Sequence, residues 1–341
     1  MTDTALQRAL HALAHGMPLA GDDVADALEL VMKGEASATQ IAAFLMGLRV
    51  RGDTAETVAG AARALRRAMV PLAADDPDSL VDTCGTGGGA VRTFNISTAA
   101  ALVAGGAGVR IAKHGNRSFT SSCGSADVLE ALGVRIDVPV QTMERALREA
   151  GIVFMFAPLM HPAMRHVGPV RRELAVPTVM NVVGPLANPA GAGRQVVGVA
   201  DASRLPVLAG ALAALGARHA LVVHGEPGLD ELSPLGVTHG LEVRDGAVKE
   251  WSLDPARFDL TARAADELAG ASPEDNARVI LDILGGRGTA GARAAVLLNA
   301  AAAVYVSGRV NSFDDAVQEA TRALDSGAGT NVLERLRVAY Q

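Results

Sequence analysis

Leu80-Val-Asp-Thr-Cys-Gly-Thr-Gly-Gly-Gly89, followed by Thr93-Phe-Asn-Ile-Ser-Thr98, is the stretch on which the fold turns. Leu80–Thr83 reads as a strand, Gly85–Gly89 as a loop and Ser97 onward as a helix. A strand, a glycine loop and a helix in that order offer free N–H groups and a positive helix end to an anion. Outward from this unit, short apolar runs recur at Val109–Ala112, Val134–Ile136, Ile152–Phe156, Gln195–Ala200 and Ala220–His224. Helical segments fall between them at Ser97–Gly105, Ser125–Leu132, Gln141–Ala150 and Ala202–Leu215. That alternation predicts an α/β domain with a largely parallel central sheet. Asp254–Gly291 is expected to return to helix around a Ser272-Pro273 start, and Arg293–Ser307 and Ser312–Asp325 also read as helices.

Upstream of Pro71 no strand pattern occurs. Ser37-Ala-Thr-Gln40 and Asp53-Thr-Ala-Glu56 have capping-box spacing, and Ile41, Phe44, Leu45 and Leu48 fall on one helix face. Residues 1–70 are therefore expected to form a small all-α domain, with Pro71–Asp78 as the connection and 71–341 as the α/β domain. The chain has 341 residues, 49% hydrophobic and only 3% aromatic, so its core must be mostly Ala, Val and Leu. Two cysteines, Cys84 and Cys123, make neither a disulfide framework nor a four-thiolate zinc site. No signal-peptide pattern and no long apolar run is evident, so a cytoplasmic location without membrane contact is the expectation.

The formal net charge is −6, which argues against a general nucleic-acid binder. Yet the 44 residues between Asp82 and Asp127 (127 − 82 − 1) hold no carboxylate, and they include Lys113-His-Gly-Asn-Arg117. Glycines, cations and missing acid together suit phosphate. Gly85-x-Gly87-x-x-Ala90 formally fits a dinucleotide fingerprint, but the acidic residue needed about 20 positions later is absent. No Gly-Lys-Ser/Thr closes the loop, which removes a P-loop. Adjacent Asp230 and Glu231, after the strand ending at His224, are candidate magnesium ligands.

Gly85-Thr-Gly-Gly88, the 93–98 and 113–117 motifs and Gly124–Gly133 resemble the anthranilate phosphoribosyltransferase family. So do His161-Pro-Ala-Met164, Pro169-Val-Arg-Arg-Glu-Leu174, Asn181–Pro189, His224–Ser233 and Leu298–Ala302, in order along nearly the whole chain. The resemblance implies transfer of the 5-phosphoribosyl group from phosphoribosyl pyrophosphate to the amine of anthranilate, with inversion at C1, in tryptophan biosynthesis. It implies a nucleoside phosphorylase/phosphoribosyltransferase-like architecture, in which helices within about 160–190 join the N-terminal helices. It assigns Gly85, Thr86, Gly87, Gly88, Thr93, Asn95, Ser97, Thr98 and Lys113 to the donor. Gly85, His114, Asn116, His161, Arg171 and Pro185 fall to anthranilate, and Ser97, Asp230 and Glu231 to Mg2+. It names no single catalytic acid or base: alignment and electrostatics carry the reaction. It also implies a homodimer through the helical domain.

The chain departs from the family where Gly-Thr-Gly-Gly is usually followed by Asp and Gly89 stands instead. That loss should weaken metal attachment at the loop. Arg92 lies in the same loop as a further candidate phosphate contact. Two other readings compete. A pyrimidine nucleoside phosphorylase shares the architecture but needs base-recognition motifs not found here. A non-catalytic nucleic-acid-binding relative should lack the donor motifs and show a basic surface.

Overall fold

The computed structural model describes residues 3–118 and 122–341. Four helices open the chain: α1 (Ala5–Ala14), α2 (Gly21–Met32), α3 (Ala38–Arg51) and α4 (Ala55–Ala68). The Ser37/Gln40 box caps α3, with the Ser37 hydroxyl accepting from the Gln40 N–H at 3.3 Å. Such a cap contributes about 1 kcal/mol. Ile41, Phe44, Leu45 and Leu48 are all buried, each contributing roughly 1.5–3 kcal/mol by leaving water. The second expected box shifts by one residue: Thr54, not Asp53, caps α4, paired with Thr57. Asp53 instead forms an ion pair with Arg204 at 3.1 Å, a tertiary contact that outbids the cap.

The α/β part runs β1 (Val81–Gly85), α5 (Ile96–Gly106), β2 (Ile111–Gly115), α6 (Ser125–Ala131), α7 (Val140–Ala150) and β3 (Ile152–Phe156). After a short helix, α8 (Ala157–Met160), come α9 (Gly168–Leu174), β4 (Arg194–Gly198), α10 (Leu205–Ala214) and β5 (His219–Gly225). A hairpin of β6 (Thr238–Arg244) and β7 (Ala247–Leu253) precedes α11 (Pro273–Leu284), α12 (Ala290–Val306), α13 (Phe313–Asp325) and α14 (Ala328–Ala339). Among the described residues seven strands form one sheet in the order β3-β2-β1-β4-β5-β6-β7. Five are parallel, and β6 and β7 are antiparallel.

Two cores flank this sheet. One packs α5, α12 and α14 against Val81, Ile111 and Leu221. The other joins α1–α4 with Val167, Val170, Met180 and Leu186, and with Val197 and Val222 on the opposite sheet face. The 167–187 segment thus packs with the N-terminal helices. The edge strand β3 is covered rather than open: the Tyr340 hydroxyl donates to the Phe154 carbonyl at 2.7 Å and accepts from its N–H at 3.0 Å.

The structure departs from the sequence reading at three further points. Val134–Ile136 is not a strand; it is coil between Gly133, just past the end of α6, and the Pro139 cap of α7, with Val134 and Ile136 buried and Arg135 exposed. Its apolar residues fill the core without joining the ladder. Asp254–Gly291 is helical only at α11, because 3-10 turns and loops occupy 254–272. The β6–β7 hairpin was missed, although Asp245-Gly246, both at positive φ (47° and 83°), is a hairpin turn signal.

Candidate active site

The carboxyl ends of β1, β2, β4 and β5 converge, where open parallel sheets place ligands. Gly85 closes β1, and Gly87 and Gly88 lie at φ 72° and 81°, a conformation side chains rarely adopt. Thr86 anchors the loop to the end of β4: its N–H donates to the Gly198 carbonyl at 2.9 Å, and its hydroxyl accepts from the Ala200 N–H at 3.2 Å.

The loop lacks its own acids but receives two from a distant part of the chain. Asp230 accepts from the Gly87 N–H at 2.8 Å, and Glu231 accepts from the Ser97 N–H at 3.1 Å. Burial pushes the Asp230 carboxyl up. Burial, followed by Asp230, pushes Glu231 up to about 8. Two neighbouring half-buried carboxylates repel each other, and a divalent cation would relieve that cost. With the Ser97 hydroxyl they form a set of hard oxygens of the kind magnesium takes alongside substrate phosphates. These residues therefore fit the metal.

Lys113 is buried on β2. Its ammonium donates to the Thr83 carbonyl and, at 3.2 Å, to the Ser97 hydroxyl. Burial lowers its pKa, while Asp82 and Glu231 among others raise it. Ser97 is not a cap; the N-cap of α5 is Asn95. The Asn95 amide is already committed, donating to the Cys123 carbonyl at 3.1 Å and accepting from the Asn276 side chain at 2.9 Å. Thr93 is tied by a bridge to Ala269. The Thr98 hydroxyl is buried without a partner among the described residues. Arg117 turns away from the loop to pair with Asp127 at 2.8 Å and Glu130 at 2.6 Å, so it adds no free charge. Arg92 is exposed.

His114 and His161, both expected on the acceptor side, lie with ring centroids 4.9 Å apart and ring planes tilted by 58°. Burial first, then His161, drives His114 down to about 3, and burial drives His161 to about 4. Both rings are therefore neutral near pH 7. Among the described residues, His114 Nε2 and both His161 nitrogens are buried without a partner at hydrogen-bond geometry. The Gly184 and Ala187 backbones face them from the 181–189 segment. The Arg171 guanidinium, on α9, is half-buried, and burial is the one influence that shifts it; no carboxylate pairs with it among the described residues. Asn116 follows β2, and its backbone carbonyl accepts from the Ala126 N–H at 3.2 Å.

Sequence reasoning missed the residues that fix the Pro185 turn. Arg66 of α4 donates to the Leu186 carbonyl at 2.7 Å, and buried Gln195 of β4 donates to the Pro185 carbonyl at 2.7 Å. A helical arginine and a strand glutamine carry no motif, so nothing in the sequence flagged them.

Residues 7–69 match the glycosyl transferase family helical bundle domain, and residues 77–330 match the glycosyl transferase family a/b domain. An anthranilate phosphoribosyltransferase of Rubrobacter xylanophilus is 50% identical over 330 residues, covering 97% of this chain and 96% of its own. The chain belongs to the anthranilate phosphoribosyltransferase family. It is accordingly a glycosyltransferase acting by pentosyl transfer in tryptophan biosynthesis. The family's crystal structure from Thermus thermophilus superposes with a TM-score of 0.92 at 41% identity, covering 97% of this chain and 99% of that one. The Saccharomyces cerevisiae member, solved with PRPP and Mg, gives 0.88 at 29% identity, covering 99% and 98%.

Proposed function

We propose that this chain transfers the 5-phosphoribosyl group of phosphoribosyl pyrophosphate to the amino nitrogen of anthranilate, with donor and acceptor meeting at the end of β2. One observation carries the reading. Consecutive residues of β2 meet different surroundings: the Lys113 ammonium donates to Ser97 of α5, while the His114 ring lies against His161. Neighbouring strand residues face opposite ways, so two subsites share one rigid element.

The backbone of Gly85–Gly88 and the Thr86 side chain cradle the donor, and Lys113, Ser97, Thr98, Asn95 and Thr93 line its phosphate end. Asp230, Glu231 and Ser97 would hold Mg2+, which would offset pyrophosphate charge; the yeast relative solved with PRPP and Mg supports the use of magnesium. Arg171 pairs with the anthranilate carboxylate. Neutral His114 and His161, with Asn116, Pro185 and Gly85, form the ring pocket, and the arylamine, already unprotonated, attacks without a strong general base. The amine lone pair attacks C1 as the C1–oxygen bond breaks, pyrophosphate departs with the bonding electrons, and the surplus amine proton passes to water. Acceleration comes from alignment and charge stabilisation.

We also place the protein in the cytoplasm as a homodimer through its helical domain, where Met17 is 50% and Val50 80% exposed. No described helix is long and apolar enough to cross a membrane. The deciding assay follows anthranilate fluorescence with phosphoribosyl pyrophosphate and magnesium. Loss of signal that requires both is expected, and a constant signal would remove the reading.

A further inference from the structure

Strands β1 and β2 are neighbours that part almost at once. β1 matches β4 over five residue pairs, and β2 matches β3 over five, but β1 and β2 are in register only at Val81 and Ile111. A parallel ladder continued from that pair would join the Thr83 N–H to the Ala112 carbonyl, and the His114 N–H to the Thr83 carbonyl. Side chains hold those groups instead. The His114 N–H donates to Asp82 Oδ1 at 3.2 Å. The Ala112 carbonyl accepts from Asn188 Nδ2 at 2.8 Å. The Thr83 carbonyl accepts from the Lys113 ammonium.

The two wedge residues are joined to each other: Asn188 Nδ2 also donates to Asp82 Oδ2 at 2.7 Å. Asn188 is fixed in turn, its Oδ1 accepting from the Ala190 N–H at 2.9 Å. Asp82 is 0% and Asn188 2% exposed, so neither touches solvent or substrate. Burial pushes the Asp82 carboxyl up to about 6, and Lys113 is the largest influence drawing it back down. A buried carboxylate is costly, and an apolar pair at the seam would simply let the ladder close.

We infer that Asp82 and Asn188 are positioning residues: together they hold β1 and β2 apart, and the gap sets where Lys113 and His114 stand relative to one another. The inference rests on the two-subsite reading above. If the strands closed, the Thr83 carbonyl would take the His114 N–H, Lys113 would lose its anchor and the His114 ring would swing. Asn188 lies three residues after Pro185, so the same contact fixes the acceptor turn to the donor strand. Both substrates would still find most of their contacts, but their reacting atoms would no longer line up.

The test uses the full-length enzyme with Asn188→Ala, and with Asp82→Asn, which keeps the shape but sets two amide donors against each other. Circular dichroism and melting give the folded fraction. Anthranilate and phosphoribosyl pyrophosphate affinities are measured separately, and single-turnover rates are taken per folded site with both substrates saturating. The expected result is a single-turnover rate lower by about tenfold to a hundredfold, as for an ångström-scale misplacement, with each affinity changed less than about threefold. A rate within about twofold of wild type overturns the inference. So does a loss explained wholly by unfolded protein or by one weakened affinity, and so does failure of both variants to fold. A wild-type enzyme that does not consume anthranilate defeats the underlying reading instead, so the two failures are told apart.

Discussion

Gly198 ends β4 directly beneath Asp230, and Gly198→Ala is a sharp test of the metal-and-loop geometry. A Cβ built at Gly198 would lie 1.6 Å from the Asp230 carbonyl oxygen and 2.3 Å from its carbon. Real Cβ contacts do not fall below 3.0 Å, so the two backbones must separate by at least 1.4 Å (3.0 − 1.6). Asp230 has little room to yield. On one side Leu229 is closed against Gly225 by bonds of 2.7 and 2.9 Å. On the other, Leu232 is held by Asn299 at 2.9 Å through each backbone group.

A shift of that size carries the Asp230 carboxylate out of reach of the Gly87 N–H, now 2.8 Å away. Losing a charged hydrogen bond costs about 1.5–3 kcal/mol, and overpacking adds about 1–3 kcal/mol. A destabilisation of about 4 kcal/mol follows. At about 2.1 cal/mol/K per residue, 341 residues give an unfolding entropy of about 0.7 kcal/mol/K, so the Tm should fall by about 6 °C. Displacing both carboxylates and the loop by more than an ångström should lower kcat about a hundredfold. Differential scanning calorimetry and the anthranilate fluorescence assay over a magnesium series measure the two effects. Full activity with a Tm within about 1 °C of wild type would refute the placement of Asp230 against the donor loop.

Arg171→Ala should raise the KM for anthranilate about tenfold to a hundredfold, the worth of a charge-assisted pair of about 1.5–3 kcal/mol, and leave that for phosphoribosyl pyrophosphate nearly unchanged. Lys113→Ala should impair donor use instead, and steady-state kinetics showing the opposite pattern would reverse the subsite assignment. Gly89→Asp fits with small adjustments, since its Cβ would lie 3.0 Å from the Gly228 carbonyl oxygen and 3.2 Å from Asp230 Oδ1. It adds a carboxylate beside the metal pair, so half-saturating magnesium should fall while the metal-starved rate drops; superimposable magnesium profiles would dismiss the idea. His161, lowered to about 4 by burial, stays neutral in the folded chain while the unfolded chain protonates near 6.5. Its stabilisation is therefore complete above about pH 6.5 and lost as pH falls toward about 4, at up to about 1.4 kcal/mol per pH unit. His161→Phe should flatten the acid limb of the stability curve over that window, and urea titrations from pH 4 to 7 that show equal slopes would contradict it; Asp82, raised to about 6, acts in the opposite sense in both proteins.

The sequence discloses whatever is encoded within a few neighbouring positions. The β1–loop–α5 unit was legible because glycines and apolar runs are local signals, and α3 because its core residues recur at helical spacing. The Val134–Ile136 expectation failed for the converse reason: burial alternates there, but whether a buried run joins a sheet depends on a free edge, which Tyr340 from the far end of the chain covers. The site shows the same limit in its chemistry. A run of 44 residues without acid looked like an anion cradle with all its N–H groups free, yet Gly87 and Ser97 already donate to Asp230 and Glu231, 143 and 134 residues away. The missing acid is thus not an absence in the folded site. It separates roles: the local segment keeps neutral donors and one buried ammonium, and the carboxylates arrive on the loop after β5, where their position can be set independently. Asp82 is the exception that sequence alone could not interpret. It marks the edge of the acid-free run, but it points into the seam between β1 and β2, and only the interrupted ladder shows that its partner is Asn188, 106 residues on.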